Sequence, residues 1–280
     1  MIIIITLLFA FILAFVLGTA LGFFKKFFAV EEDSLAVQVR EALPGANCGA
    51  CGFPGCDAYA AAIASRQTGI SGCSVGGKTT AEKLSAIMGI SANVVSTVSF
   101  VACRGTPGKA GQKGIYTGTE SCRAAKISAG GTKLCAWGCL GFGDCVKVCK
   151  FGAIRMGEDR IPVIDHSKCT GCKLCTNECP QSCIRNIPRD SKGAVPVCNN
   201  RNTIKAQVRK TCTAGCIKCE ICVKNCPEHC IEMQNGIPVV DYGKCTSCGT
   251  CVEKCPVKVL KILERDVIGT LTSQAPIKAR

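Results

Sequence analysis

The residues Cys245-Thr-Ser-Cys248-Gly-Thr-Cys251-Val-Glu-Lys-Cys255-Pro256 decide how this chain folds. Three cysteines recur at every third position, and a fourth cysteine follows them and precedes a proline. Thiolates spaced this closely wrap one iron–sulfur cubane, while the fourth begins a helix and reaches a second cubane. Zinc ribbons instead use separated C-x2-C pairs without the trailing Cys-Pro. The motif therefore predicts a protein built around [4Fe–4S] clusters.

The same pattern occurs twice along the chain, which indicates an internal duplication. The motif Cys169–Cys179 returns as Cys245–Cys255, and Ile161–Asp165 returns as Ile237–Asp241. We predict an α+β fold with an N-terminal transmembrane helix, a small α-rich 4Fe–4S domain and two tandem dicluster ferredoxin-like modules. The expected boundaries are 1–28 for the transmembrane anchor, 29–95 for the N-terminal 4Fe–4S domain, 96–134 for a connecting segment, 135–188 for the first module, 189–211 for a second connecting segment, 212–265 for the second module and 266–280 for the tail.

No charged residue occurs between Met1 and Phe24, and Lys25-Lys26 end the apolar run. A run of about 23 residues can cross a hydrocarbon core of roughly 30 Å as a helix. A cleavable signal peptide would place its positive charge before the apolar run and small residues after it. We therefore expect a single-pass anchor in the cytoplasmic (inner) membrane. The two lysines and the bulk of the chain, which follows them, are expected on the cytoplasmic side.

The second module carries two complete cysteine motifs. Because the last cysteine of each motif reaches the cluster of the other motif, each predicted ligand set combines three neighbouring cysteines with one distant cysteine. The two predicted sets are Cys216, Cys219, Cys222 with Cys255, and Cys245, Cys248, Cys251 with Cys226.

In the first module, one cysteine of the pattern is missing. Phe142 stands at the position that Cys219 occupies in the repeat. The other motif is complete and predicts the set Cys149, Cys169, Cys172 and Cys175.

The incomplete motif leaves three cysteines of the first module without a fourth partner, namely Cys139, Cys145 and Cys179. Cys135 lies just upstream, and we expect it to be the fourth ligand. The alternatives are a three-iron cluster, or a ligand from Cys103 or Cys122.

A different cysteine motif lies between the anchor and the modules, reading Asn47-Cys-Gly-Ala-Cys-Gly-Phe-Pro-Gly-Cys56. Its glycines let the backbone approach a cluster closely and donate amide hydrogens to its sulfurs. The residues after Cys56 favour a helix, after which a further cysteine returns to the cluster. The expected ligands are Cys48, Cys51, Cys56 and Cys73.

Of the 26 cysteines, 20 are assigned in this way and six remain. Cys183 and Cys230 take a position that is Ala153 or Val259 in the other motif copies, so we expect them to fill the core. The last four either share a further cluster or pack as thiols: Cys103, Cys122, Cys198 and Cys212.

The formal net charge of +14 does not indicate a nucleic-acid-binding protein. Each [4Fe–4S] core with four thiolates carries roughly −2, so about five clusters would remove about ten units. An aromatic content of 5% offers few platforms for stacked bases. We expect no flavin or nucleotide either. The stretch Gly72–Thr79 matches G-x4-G-K-T but follows no hydrophobic strand, and Thr79 with Glu82 predicts a helix capping box there.

Taken together, these features resemble the B subunit of Rnf-type ion-translocating electron transport complexes. The resemblance rests on 27–33 after the anchor, on 43–56 and on 135–146. It implies that the chain takes electrons from soluble reduced ferredoxin and relays them to other membrane and peripheral subunits of such a complex. The implied complex reduces NAD+ and exports Na+ or H+, so the chain would be one subunit of a translocating oxidoreductase.

The residues of this chain predict electron transfer alone. No G-x-G-x-x-G motif follows a strand, which argues against a hydride-transfer site. The one apolar segment carries no ionisable residue that could serve an ion path. Two alternatives remain open at this stage. One is a paralogous complex that reduces a redox-sensing transcription factor, and the other is a zinc- or metal-binding structural protein.

Overall fold

The structure is a computed structural model that describes residues 2–27, 33–91 and 94–263. Residues 28–32 of the motif after the anchor lie outside this description, as do the side chains of Lys25 and Lys26. The same is true of 264–280, which holds the last two residues of the predicted second module and the whole predicted tail.

The N-terminal helix α1 (Ile2–Phe27) stands apart from the rest of the described chain. Its segment Ile3–Phe24 has a mean hydropathy of 2.7 over 22 residues, and no part of it is buried. The hydroxyl of Thr19 donates to the carbonyl of Phe15 at 2.9 Å, so this polar group is satisfied within the helix itself. The helix is therefore a candidate membrane span.

Three helices build a small domain after the anchor. They pack a shared apolar core in which Val39, Tyr59, Ile63 and Leu84 are almost fully buried. The helices are α2 (Ser34–Ala42), α3 (Cys56–Ala64) and α4 (Gly77–Met88). This α-rich core agrees with the small domain that the sequence predicts.

The predicted capping box at Thr79 and Glu82 is wrong. Helix α4 already begins at Gly77, with Gly76 as the N-cap residue, so Thr79 lies inside the first turn. The side chain of Thr80 packs against Gly76 so closely that a Cβ added there would clash with the Thr80 hydroxyl. The close contact at Gly76 explains why the helix starts earlier than side-chain capping would place it.

The duplication is visible in the strands. Each module contains an inner hairpin and an outer antiparallel pair, and the outer pair joins the first strand of the module to its last. The pairs are β1 (Thr97–Val101) with β4 (Ile184–Pro188), β2 (Ile154–Met156) with β3 (Pro162–Ile164), β5 (Ala194–Pro196) with β8 (Leu260–Ile262), and β6 (Ile231–Gln234) with β7 (Ile237–Val240).

The first strand of each outer pair comes from a segment that the sequence predicts only as a connection between domains. Segment 96–134 contributes β1, and segment 189–211 contributes β5. Short helices complete the modules: α5 (Cys122–Ala129), α6 (Asp144–Lys147), α7 (Leu174–Glu178), α8 (Lys205–Thr211), α9 (Ile221–Lys224) and α10 (Thr250–Glu253). The two segments thus carry structural elements of the modules.

Candidate metal centres

The motif of the N-terminal domain encloses a cavity at the start of α3. The side-chain carbonyl of Asn47 accepts a hydrogen bond from the Cys56 amide at 2.7 Å, which fixes the motif loop against the helix. Gly49 and Gly52 adopt positive φ angles of 77° and 91°, conformations that other residues rarely take. The cavity is lined by all four cysteines expected here, Cys48, Cys51, Cys56 and Cys73.

The second module encloses two cavities with the cysteines that the crossing rule predicts. In each cavity, the distant cysteine joins the three cysteines of the loop motif. The first cavity is lined by Cys216, Cys219, Cys222 and Cys255, and the second by Cys226, Cys245, Cys248 and Cys251.

The complete motif of the first module also brings its cysteines together. Burial raises the pKa of Cys175, and the thiols of Cys169, Cys172 and Cys149 add to the rise, so all three lie within electrostatic range of it. The backbone amide of Ser99 in β1 donates to the sulfur of Cys169 at 3.5 Å. Strand β1 therefore supplies a donor to this set, which is a role that the sequence did not indicate.

Cys122 lies beside the cysteines of the incomplete motif. One cavity is lined by Cys122, Cys139, Cys145 and Cys179 together, and Cys183 also borders it. Burial, followed by the thiols of Cys122 and Cys179, raises the pKa of Cys145 to about 12. The structure places Cys122, and not Cys135, beside this cavity, so the geometry favours the alternative ligand Cys122 over Cys135.

Cys135 lies away from this cavity, among residues of both modules. Burial raises its pKa to about 11, and the thiols of Cys103, Cys198 and Cys212 contribute to that rise. The side-chain amide of Asn200 donates to the Cys135 sulfur at 3.5 Å. The geometry thus separates Cys135 from the cavity that sequence proximity to Cys139 suggested.

The loop around Phe142 has the same backbone form as the loop around Cys219 in the repeat. Gly141 and Gly143 have φ angles of 79° and 80°, and the equivalent Lys218 and Glu220 have φ angles of 56° and 58°. The ring of Phe142 points away to an edge-on contact with Tyr116, at 5.5 Å between centroids. The first module therefore keeps the backbone of this loop, with a phenylalanine at the position of the cysteine.

Amide hydrogens point at the sulfurs of several sets. The amide of Gly76 donates to Cys73 at 3.4 Å, and that of Val259 donates to Cys255 at 3.3 Å. Cys183, equivalent to Val259, donates its amide to Cys179 at 3.4 Å. Hydrogen bonds to cluster sulfurs are one of the levers by which a protein sets reduction potentials.

The two cysteines expected to fill the core are indeed buried, with Cys183 and Cys230 exposing 1% and 4% of their surface. Cys183 also occupies a bridging position. Its thiol donates to the carbonyl of Trp137 at 3.0 Å, and the neighbouring thiols of Cys103 and Cys179 help to raise its pKa.

The cysteine sets suit cubanes better than single ions. All 26 cysteines are free thiols. Within residues 2–27, 33–91 and 94–263, no group of three or more His, Cys, Asp or Glu side chains converges closely enough for one metal ion. Zinc would require sulfurs at about 2.3 Å from one point. In a cubane each cysteine binds a different iron, so the sulfurs surround a cavity, as they do in the four cavities described above.

Contacts between neighbouring cysteine sets show which sets lie next to each other. The ammonium group of Lys150 donates to the backbone carbonyl of Asn47 at 3.4 Å, which joins the first module to the N-terminal domain. Burial, then the thiols of Cys169 and Cys48, raise the pKa of Cys172 across that junction. At the other end of the chain, Cys248 is the exposed member of its set. The sets thus extend from a surface position in the second module to the domain behind the anchor.

Comparisons with known proteins match the cysteine-rich regions of the chain to iron–sulfur families. The Fe-S cluster family FeS matches residues 43–75, and the 4Fe-4S dicluster domain family matches residues 134–183 and 215–259. The chain is 44% identical over 231 residues to the B subunit of the Na(+)-translocating ferredoxin:NAD(+) oxidoreductase complex of Acetobacterium woodii, covering 82% of this chain and 69% of the relative.

Two further relatives cover most of both chains. The B subunit of the ion-translocating oxidoreductase complex of Methanosarcina acetivorans is 37% identical, with 84% of this chain and 88% of the relative covered. The B subunit of the proton-translocating ferredoxin:NAD(+) oxidoreductase complex of Clostridium ljungdahlii is 40% identical, with 84% and 82% covered.

Proposed function

Since the chain belongs to the B-subunit family of Rnf-type ion-translocating oxidoreductase complexes, we propose that it receives electrons from reduced soluble ferredoxin and passes them to the membrane subunits of such a complex. The complex would reduce NAD+ and couple this to translocation of Na+ or H+. Its iron–sulfur domains and apolar N-terminal helix support a membrane-anchored electron carrier.

The observation that carries the proposal is the succession of cysteine-lined cavities. Cys248 is exposed at one end, and the cavity of Cys48 lies in the domain directly after the anchor at the other. When bound, [4Fe–4S] clusters supply reversible one-electron exchange. The cysteines would hold the clusters, burial would exclude water, and the amide donors at Cys73 and Cys255 would adjust the potentials.

Surface charge supports an acidic electron donor. The protein chain carries a formal charge of +14, and clusters of roughly −2 each would leave it mildly basic. A basic surface accelerates association with an acidic partner, and salt weakens that effect. We therefore expect electron transfer from ferredoxin to slow as ionic strength rises.

The charge distribution supports one orientation in the membrane. Lys25-Lys26 directly follow the apolar span Ile3–Phe24, and positive residues of this kind remain in the cytoplasm. All cysteine sets would then lie on the cytoplasmic side. Protease digestion of inverted vesicles should remove the modules, whereas their protection in inverted vesicles and digestion in right-side-out vesicles would contradict this orientation.

The test of the function is a stopped-flow experiment under anaerobic conditions. A catalytic amount of ferredoxin, kept reduced by an enzymatic donor that does not itself reduce the chain, is mixed with an excess of the oxidised full chain in detergent. Bleaching of the cluster absorbance of the chain is followed at increasing salt concentration. We expect rapid bleaching that slows with salt. Clusters that dithionite reduces but ferredoxin does not would overturn the proposal.

A further inference from the structure

The junction between the two modules contains four cysteines from equivalent positions. Cys103 follows β1 and Cys198 follows β5, the first strands of the two modules. Cys135 and Cys212 precede the first motif cysteine of each module by the same spacing. Each module thus contributes the same pair of cysteines to the junction.

The backbone contacts of this junction are duplicated as well. The amide of Cys139 donates to the sulfur of Cys103 at 3.3 Å, and the amide of Cys216 donates to the sulfur of Cys198 at 3.3 Å. A second amide, from Gly105, reaches Cys103 at 3.4 Å. The sulfurs therefore receive the kind of amide donors that the cysteines of the other sets receive.

The four cysteines lie close to one another, since the thiols of Cys103, Cys198 and Cys212 are all electrostatic neighbours of Cys135. A Cβ placed on Gly105 would lie 3.6 Å from the Cys103 sulfur and 3.7 Å from the Cys212 sulfur, so both thiols face this glycine. Burial, followed by the thiols of Cys103 and Cys198, raises the pKa of Cys212. All four cysteines expose less than a tenth of their surface.

A buried cation lies beside them. Lys133 exposes 4% of its surface, and its ammonium group donates to the carbonyl of Gly105 at 2.5 Å. Among the ion pairs of the described residues, none includes Lys133. A buried charge is costly unless an opposite charge compensates it. An anionic group bound next to Gly105 would provide that compensation.

We propose that Cys103, Cys135, Cys198 and Cys212 hold a sixth [4Fe–4S] cluster, shared between the two modules. The proposal rests on the cluster chemistry of the proposed function and extends it. A cubane with four thiolates carries roughly −2, which compensates Lys133. Four packed thiols in the neutral state would leave the buried ammonium group uncompensated, and zinc would need sulfurs converging on one point, which the described residues do not provide.

The position of this cluster explains how electrons cross from one module to the other. Its ligand Cys198 contacts the backbone of Cys216, a ligand of the second module, and its ligand Cys103 contacts the backbone of Cys139, a ligand of the first. The shared site therefore lies directly between the two sets. It makes the two modules one continuous path.

The first experiment counts metal in the full chain. After anaerobic purification in detergent, we expect about 24 iron atoms and about 24 sulfides per chain, against about 20 of each for five clusters. About 20 iron atoms with all five other clusters present would overturn the sixth site and leave the proposed function standing. One zinc ion per chain, bound through these cysteines, would overturn it as well.

The second experiment uses matched variants. The double variant Cys198→Ala with Cys212→Ala leaves two ligands, so about four iron atoms should be lost. Val208→Ala is the control, because Val208 is fully buried and its carbonyl accepts the Cys212 amide, but it has no thiol. This variant should keep the full iron content. An unchanged iron content in the double variant would overturn the proposal.

A conservative substitution tests the shared site even if the double variant does not fold. Cys198→Ser preserves the size of the side chain and should change the EPR signal of one cluster while five signals stay as they are. Unchanged signals for all clusters would contradict the shared site, even if the double variant failed to fold.

Discussion

Cys122 and Cys145 line the same cavity, although a Gly-rich segment and an entire loop separate them in the sequence. Asp144 explains the contact. Its carboxylate accepts hydrogen bonds from the Ser121 hydroxyl at 2.8 Å and from the Arg123 amide at 3.1 Å. These bonds hold the start of α5 against α6, and they flank Cys122 on both sides.

This contact predicts which cysteine matters for the incomplete motif. Replacing Cys122 with alanine leaves Cys139, Cys145 and Cys179 at the site, so we expect it to bind a three-iron cluster with an EPR signal in the oxidised state. Cys135→Ala is the matched comparison and should leave the signals of this site unchanged. A four-iron site that survives in Cys122→Ala but is lost in Cys135→Ala would identify Cys135 as the ligand instead.

A cysteine introduced at position 142 should be able to bind the cluster of this site. The backbone around Phe142 matches that around Cys219, so Phe142→Cys should direct a thiol into the cavity. In the background of Cys122→Ala, this substitution is expected to restore a four-iron cluster, measured by iron content and EPR. In the background of Cys198→Ala with Cys212→Ala it should restore nothing. If rescue failed in the first background, the two loops would not be equivalent.

Lys133 should influence reduction potentials. Burial raises the pKa of Cys139 and Cys212, and the charge of Lys133 opposes that rise. The neighbouring Cys183 thiol lowers the pKa of Cys103, and Lys133 adds to that lowering. A cluster gains negative charge on reduction, so replacing Lys133 with methionine should make the potentials of the nearest clusters more negative. The measurement is an EPR redox titration. Lys83→Met, on the exposed face of α4, should leave every potential in place, and equal shifts in both variants would contradict this account.

Tyr59 should stabilise the N-terminal domain. Its hydroxyl donates to the carbonyl of Gly69 and accepts from the amide of Gly72, both at 2.9 Å. Tyr59→Phe removes both bonds, so the free energy of unfolding should fall by about 1–3 kcal/mol for the two together. Denaturant unfolding, followed by loss of this domain's cluster, would measure it. A loss below about 0.5 kcal/mol would contradict the assigned role.

The same residue predicts a dependence on pH. Burial raises the pKa of Tyr59 above its ordinary value of 10.0. Because the folded state holds the proton more tightly, the stabilisation is complete below pH 10 and declines as pH rises through the folded-state pKa. Wild-type stability should therefore decline above about pH 10 more steeply than that of Tyr59→Phe. If the stability of the two proteins depended on pH in the same way, the pKa of this hydroxyl would not differ between the folded and unfolded states.

The sequence by itself determined the features that depend on residues close together along the chain. The triplet Cys245–Cys251 lies in one short loop, so its spacing alone indicated a shared cluster, and the repeat indicated two modules. The apolar span Ile3–Phe24 was likewise visible from composition, because helix length and membrane thickness are linked by a constant rise per residue.

Only the tertiary structure decided which distant cysteines meet. The pairing of β1 with β4 and of β5 with β8 brings segments far apart in the sequence to each module. Asp144 then holds Cys122 at the cavity that proximity in sequence had assigned to Cys135. Ser121, the N-cap of α5, was a readable sign of a helix starting at Cys122, but no local pattern shows where such a helix packs. Spacing determines contacts within a loop, whereas strand pairing and buried hydrogen bonds determine contacts between loops.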